Sequence, residues 1–243
     1  FDAAWNTYIV FCRPYDNVFE MLRDVYMYAV ERIGSCDTRV GLNGDPDRRL
    51  AEHLMVFYWR GKIELTDPLL LAFWQKASDE LRAHAIGFIG RALEQTKEPI
   101  GDAILNRLEK LWEKRFSRIK EDPANHEKEG SAFGWWFISG KLDPNWAISN
   151  LLEVLWAVAK TEPARSVLEQ LAKAVDSHPV ESIKCLRRIV EGEANRWTHH
   201  ASRDHIRRIL KAGLQQPDAR SEAERIVNDL GRRGFLDFRD LVA

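Results

Sequence analysis

No run of apolar residues in this sequence approaches the roughly 20 needed to span a bilayer, and no signal peptide is visible. Cysteine is scarce. Cys12, Cys36 and Cys185 are odd in number and far apart, which argues against a disulfide framework and for a reduced, cytoplasmic setting. Excess charge of either sign is also lacking. The 36 Lys and Arg nearly cancel the 37 Asp and Glu, so coating nucleic acid is not the expected main task, although local patches remain open. There is no convincing alternation of β-branched residues, and hence no strand signal.

What remains is ordinary globular material: 243 residues, 45% apolar and 30% charged, enough for one large domain or two smaller ones. The chain starts at Phe1 with residues that already read as helix, so a piece of something larger is expected.

The nine prolines organise the chain, and none interrupts an apolar-periodic run. Four follow an aspartate: Asp45-Pro46, Asp67-Pro68, Asp122-Pro123 and Asp143-Pro144. An aspartate at the N-cap accepts from a free backbone N–H, and proline presets the first turn, so these pairs read as helix starts. Between them the period is helical. Helices are expected over Asp16 to Ile33, Pro46 to Arg60, Pro68 to Lys76, Ser78 to Gln95, Ile100 to Lys120 and Glu127 to Ser139. Later stripes are Ile148, Leu151, Leu152, Leu155, Trp156; then Val167, Leu168, Leu171; then Ile183, Leu186, Val190. Ile206, Ile209, Leu210 and Ala223, Ile226, Val227, Leu230 carry the last two. Gly34, Gly61, Gly140, Gly192 and Gly231 stand where C-caps are expected.

The expected fold is therefore all-α. About a dozen helices joined by short polar turns suggest antiparallel hairpins, and alternate helices of the second half recur at roughly 40-residue spacing. A HEAT- or armadillo-like α-solenoid is the first reading, and a compact helical bundle is the alternative. One helical-repeat domain over 1–243 is expected. A division near 142 would separate an N-terminal part, 1–142, from C-terminal repeats, 143–243, closed by Phe235, Leu236, Phe238 and Leu241.

Motifs for chemistry are mostly missing. Gly134 to Lys141 has the outline of a phosphate loop but one residue too many, and tryptophans where the backbone must curl around phosphate. No zinc spacing, nucleophile elbow or dinucleotide loop occurs, so no cofactor and no metal are expected. His199, His200 and His205 read as solvated histidines near a helix start. Arg48 and His53, four residues between them, resemble the Arg-x4-6-His motif of HEPN-type ribonucleases. That resemblance would give Arg48 the phosphate and His53 the proton transfer.

Cations gather towards the C-terminus: Lys184, Arg187, Arg188, then Arg203, Arg207, Arg208, Lys211, then Arg220, Arg225, Arg232, Arg233. Arg203, Arg207 and Lys211 fall at i, i+4, i+8, so they line one helix face and offer a stripe for phosphate backbones. Glu181, Glu191, Glu193, Asp204, Glu222 and Glu224 dilute it. The nine tryptophans are many for this length, and most fall on apolar faces as gap-fillers. Trp135 and Trp136 are adjacent, so both cannot centre one stripe, and one is expected at a contact surface.

The run from Leu186-Arg187-Arg188 through Trp197 and Ile206-Arg207-Arg208-Ile209-Leu210 to Ile226–Gly234 and Phe238-Arg239-Asp240-Leu241 carries a further likeness. It resembles the all-helical C-terminal ends of large bacterial proteins, including STAND-type NTPases and SIR2-like proteins of anti-phage defence. That resemblance implies an accessory or sensor region behind an effector and ATPase. Three functions follow as expectations. The first is a non-enzymatic scaffold for a protein partner, with Trp135, Trp136, Arg203, Arg207 and Lys211 as contacts. The second is nucleic-acid binding along the basic C-terminal face, and the third is an RNA cleavage site at Arg48 and His53.

Overall fold

The computed structural model describes residues 16–34, 45–192 and 201–242. The expectations placed on Cys12, Cys36, Trp5, Trp197, His199 and His200 lie outside them.

Among the described residues the protein is all-α, with twelve α-helices and no strand. They are α1 (Asp16–Glu31), α2 (Pro46–Trp59), α3 (Pro68–Lys76), α4 (Asp79–Gln95), α5 (Asp102–Glu121), α6 (Glu127–Ala132) and α7 (Gly134–Ile138). Then follow α8 (Pro144–Val158), α9 (Ala164–Ala174), α10 (Pro179–Gly192), α11 (Arg203–Gln215) and α12 (Pro217–Arg232). Two 3-10 turns, Ala124–His126 and Leu236–Leu241, complete the list.

The helix starts follow from local chemistry. Asp45 accepts from the Asp47 and Arg48 amides, Asp67 from Leu69 and Asp143 from Trp146, each just before a proline at the helix start. Asp122-Pro123 differs: it opens only the short 3-10 turn. Gly34, Gly61 and Gly140 do take positive φ at helix ends, whereas Gly231 stays inside α12 and Gly234 turns the chain with φ 92°. Gly192 is no cap either. A Cβ there would stand 1.7 Å from the Ala159 carbonyl oxygen, so its lack of side chain serves close packing of α10 on the end of α8.

The helix expected over Glu127 to Ser139 is broken in two, and the hydrogen bonds give the reason. The Ser131 carbonyl accepts from the Glu162 amide at 2.9 Å, outside the helix, instead of from the residue four positions on. Gly134 then fits tightly, because any Cβ would meet Thr161 Oγ1 at 2.3 Å.

Packing joins alternate helices. α1 packs on α3, α2 on α4, α4 on α6 and α7, α6 on α8, α7 on α9, α8 on α10, α9 on α11 and α10 on α12. Two apolar cores result, one built on residues from Phe19 to Val158 and one from Phe137 to Phe238. They meet at α7 and α8. Trp136 points into the first core and Phe137 into the second, and on α8 Val154 and Val158 face one while Ile148, Leu151 and Leu155 face the other. A helix buried on two sides needs apolar residues on both, and α8 has them.

One buried polar cluster ties three helices together. Glu129 of α6 is fully buried and takes both Arg115 of α5, at 2.6 and 3.0 Å, and Arg82 of α4, at 3.0 Å. His126 adds a bond of 2.8 Å, and Arg82 also donates to the Ala77 and Asn125 carbonyls. Burial pushes the Glu129 carboxyl up, but the His126 bond and the two guanidiniums outweigh it and leave its pKa lowered.

Candidate functional site

The C-terminal basic row is the first expected site, and its two arginines are met from within the chain. Arg207 holds both oxygens of Asp240 at 2.8 and 2.7 Å and also donates to the Asp237 carbonyl. Arg203 lies 3.7 Å from Asp204 and from Asp237, while Lys211 is exposed. The other arginines of that basic gathering behave alike. Arg187 and Arg188 pair with Glu191, Arg208 with Asp176, Arg220 with Glu224, Arg225 with Glu222 and Arg232 with Asp229. Arg233 donates to the Val190 carbonyl. The row on α11 thus clips the last 3-10 turn onto the end of the fold, and Phe238 closes the second core beneath it.

The adjacent tryptophans separate as their angle on a helix requires, 100° apart. Trp136 is only 2% exposed and donates its indole N–H to the Ile86 carbonyl at 2.9 Å. This corrects its expected role as a contact residue: it belongs to the core, in edge contact with Phe133. Trp135 is half-buried. Its ring carries the Arg91 guanidinium at 5.3 Å, and its backbone crosses α4 so closely that a Cβ at Gly90 would stand 2.4 Å from Trp135 Cβ.

Arg48 and His53 are not brought together. Arg48 is solvent-exposed and pairs with Asp45, whereas His53 is 4% exposed, with Nδ1 2.9 Å from the Tyr26 hydroxyl. Five residues along a helix turn the side chain by about 140°. The two groups therefore face different surroundings and offer no shared place for an RNA phosphate. Cys185 is a fully buried free thiol whose pKa burial pushes up, which keeps it protonated and unreactive.

Among the described residues, the tryptophan most open to solvent is Trp156, 59% exposed on α8. Arg188 of α10 lies over its ring at 4.7 Å, and Arg188 is itself fixed by Glu191 at 2.5 Å and by the Leu155 carbonyl at 3.2 Å. The ring is thus held in place while its outer face stays open. Beside it runs a shallow cleft between α10 and α12, lined by Val180, Ile183, Lys184, Ala219 and Glu222. Lys184 is exposed there, opposite Glu222.

The apolar stripe from Ile148 to Trp156 predicts a core position for Trp156, and the structure places it at the surface instead. A signal against the core position is present in the sequence: Trp156 shares its helix face with Ser149 and Glu153, both exposed.

Among the described residues no group of three or more His, Cys, Asp or Glu side chains is placed to hold a metal ion. No helix among them is long and apolar enough to cross a membrane. What fold and surface define is an all-α protein with an aromatic residue presented beside a cleft of mixed charge. Scans against protein-family models, curated proteins and solved structures return no match to this chain.

Proposed function

We propose that this chain is a non-enzymatic helical scaffold that recognises a protein partner. In this reading α7, α9 and α11 form one layer and α8, α10 and α12 the other, a HEAT-like stack of antiparallel hairpins. The alternate-helix packing supports it, since each repeat of such a stack touches only its neighbours. A sensing or docking role within a larger bacterial protein belongs to the same reading and rests on the likeness of the C-terminal run.

The observation that carries the proposal is Trp156. A large ring left 59% exposed forgoes the stabilisation of burial, about 1.5–3 kcal/mol for a large apolar side chain. Trp and Arg are the residue types enriched at binding hot spots, and here one of each is stacked and pre-positioned at a cleft. The basic row on α11 supports nucleic-acid binding less well, because Asp237 and Asp240 already meet its arginines.

Photo-crosslinking tests this in cells that carry the gene. A benzophenone amino acid at position 156 should yield a discrete protein adduct, and one at Lys173, exposed on α9, should not. Nucleic-acid adducts alone, or equal adducts at both positions, would overturn it.

A further inference from the structure

A second cleft lies on the opposite half of the chain, between α5 and the Glu64–Gln75 segment that leads into α3. It has two continuous parts that share Leu65, Leu71 and Lys114. Its floor is apolar. Leu71 is 44% exposed, one of the few large apolar side chains left in water, and Leu65 lies beside it. Along α5 the wall carries Lys110, Lys114 and Arg118 at i, i+4 and i+8, a cationic row of about 12 Å by helical rise. Unlike the row on α11, this one is largely unanswered. Lys110 and Lys114 are exposed and have no ion-pair partner among the described residues, and only Arg118 has one, the exposed Glu121. Glu113 and Glu64 stand at the Lys110 end, where Glu64 is already paired with Arg107.

The inner end of the cleft is built rather than incidental. Arg115, 6% exposed, uses Nε and Nη2 on Glu129 and stacks over Trp74 at 4.5 Å, which leaves its Nη1 without a hydrogen-bond partner. Trp74 is 8% exposed, and its indole N–H has no partner either. Arg82 and Arg115 share the carboxylate of Glu129, but Arg82 also has Asp79 at 3.6 Å, so Arg115 is the guanidinium with only a shared partner. The unpaired buried indole N–H of Trp74, beside the open edge of Arg115 and the unpaired surface lysines, suits an acceptor from outside the chain.

We propose that this cleft is a docking groove for an acidic peptide segment of a partner protein. Its apolar side chains would rest on Leu65 and Leu71, and its carboxylates would meet Lys114, Arg118 and the open edge of Arg115. This inference rests on the reading of the chain as a protein-recognition scaffold. The groove is long and open rather than closed around one small molecule, and its mix of apolar floor and cationic wall matches alternating apolar and acidic side chains. A nucleic acid would meet the same cations but no exposed aromatic ring on which to stack a base, since Trp74 is buried.

The test pans a phage-displayed library of random peptides against the full chain. Each enriched sequence is then measured as a labelled synthetic peptide. The wild type is compared with Lys114→Glu/Arg118→Glu, whose exposed side chains hold no other helix, and with Trp156→Ala. Enriched peptides should combine Asp or Glu with Leu, Ile or Phe and bind the double variant at least about tenfold more weakly. They should bind Trp156→Ala unchanged and shift the Trp74 indole N–H resonance. Absence of enrichment, basic or neutral winners, or equal binding to the double variant would overturn the proposal. So would an oligouridylate that binds through Lys114 and Arg118 where no acidic peptide does. Peptides lost only in Trp156→Ala would overturn the groove and leave the scaffold reading standing.

Discussion

Arg207 and Asp240, 33 residues apart, form two parallel bonds of 2.8 and 2.7 Å that fasten the last turn of the chain to α11. The pair is partly exposed, so its worth is modest, about 0.5 kcal/mol after solvent screening. Its structural effect is local. Arg207→Ala should speed amide exchange over Leu236–Leu241 and leave the centre of α10 unchanged. The charge-swapped double variant Arg207→Asp/Asp240→Arg should recover part of the protection, and hydrogen exchange by mass spectrometry reads both.

Glu129 gives a much larger effect. Replacing it by Gln removes the one carboxylate shared by Arg82 and Arg115 and leaves two guanidiniums buried with surplus charge. The expected loss is about 3–5 kcal/mol, a large part of the stability of an ordinary domain. Urea unfolding of Glu129→Gln should show a midpoint well below that of wild type. Lys173→Gln, which removes only an exposed pair with Glu169, should leave the midpoint unchanged.

The same carboxylate sets an acid limit. Its folded pKa is lowered, so the folded state binds fewer protons than the unfolded one in the acid range. That contribution is fully present above the ordinary glutamate value of about 4.3 and disappears as pH falls through the lower folded value. Stability measured from pH 6 downwards should therefore fall most steeply below about pH 4, and Glu129→Gln should flatten that slope.

Gly90 tests the crossing of α4 and α7. A Cβ there would sit 2.4 Å from Trp135 Cβ and 2.7 Å from its carbonyl carbon, so backbone rather than a side-chain tip must move. Gly90→Ala should cost about 1–3 kcal/mol despite alanine's better helix propensity. At Gly101 a Cβ meets nothing within 4 Å, and Gly101→Ala should change the thermal midpoint little.

Much of this architecture was legible in the residues. Asp-Pro pairs and the 3.6-residue period locate helices because capping and amphipathicity are local properties. The break between α6 and α7 was not legible, because it depends on the Glu162 amide reaching the Ser131 carbonyl from 31 residues away. The arginine row on α11 misleads for a similar reason: Asp237 and Asp240 lie beyond the next helix, and only folding returns them. Adjacency of Trp135 and Trp136 says only that they face apart, and helix faces say which tryptophan meets solvent. Polar residues at i−3 and i−7, Glu153 and Ser149, mark the face of Trp156 as solvent-facing, whereas Trp136 has Phe133 at i−3. On α5 the spacing of Lys110, Lys114 and Arg118 was visible, but Leu65 and Leu71 meet it only in three dimensions.

The most direct measurement compares the two tryptophans in one pair of assays, thermal unfolding and affinity for the partner captured at position 156. Trp156→Ala should keep the thermal midpoint within about 2 °C of wild type, as a surface substitution does, and weaken binding at least about tenfold. Trp136→Ala should cost about 3–5 kcal/mol of stability instead. Undiminished binding by a folded Trp156→Ala variant would contradict the account.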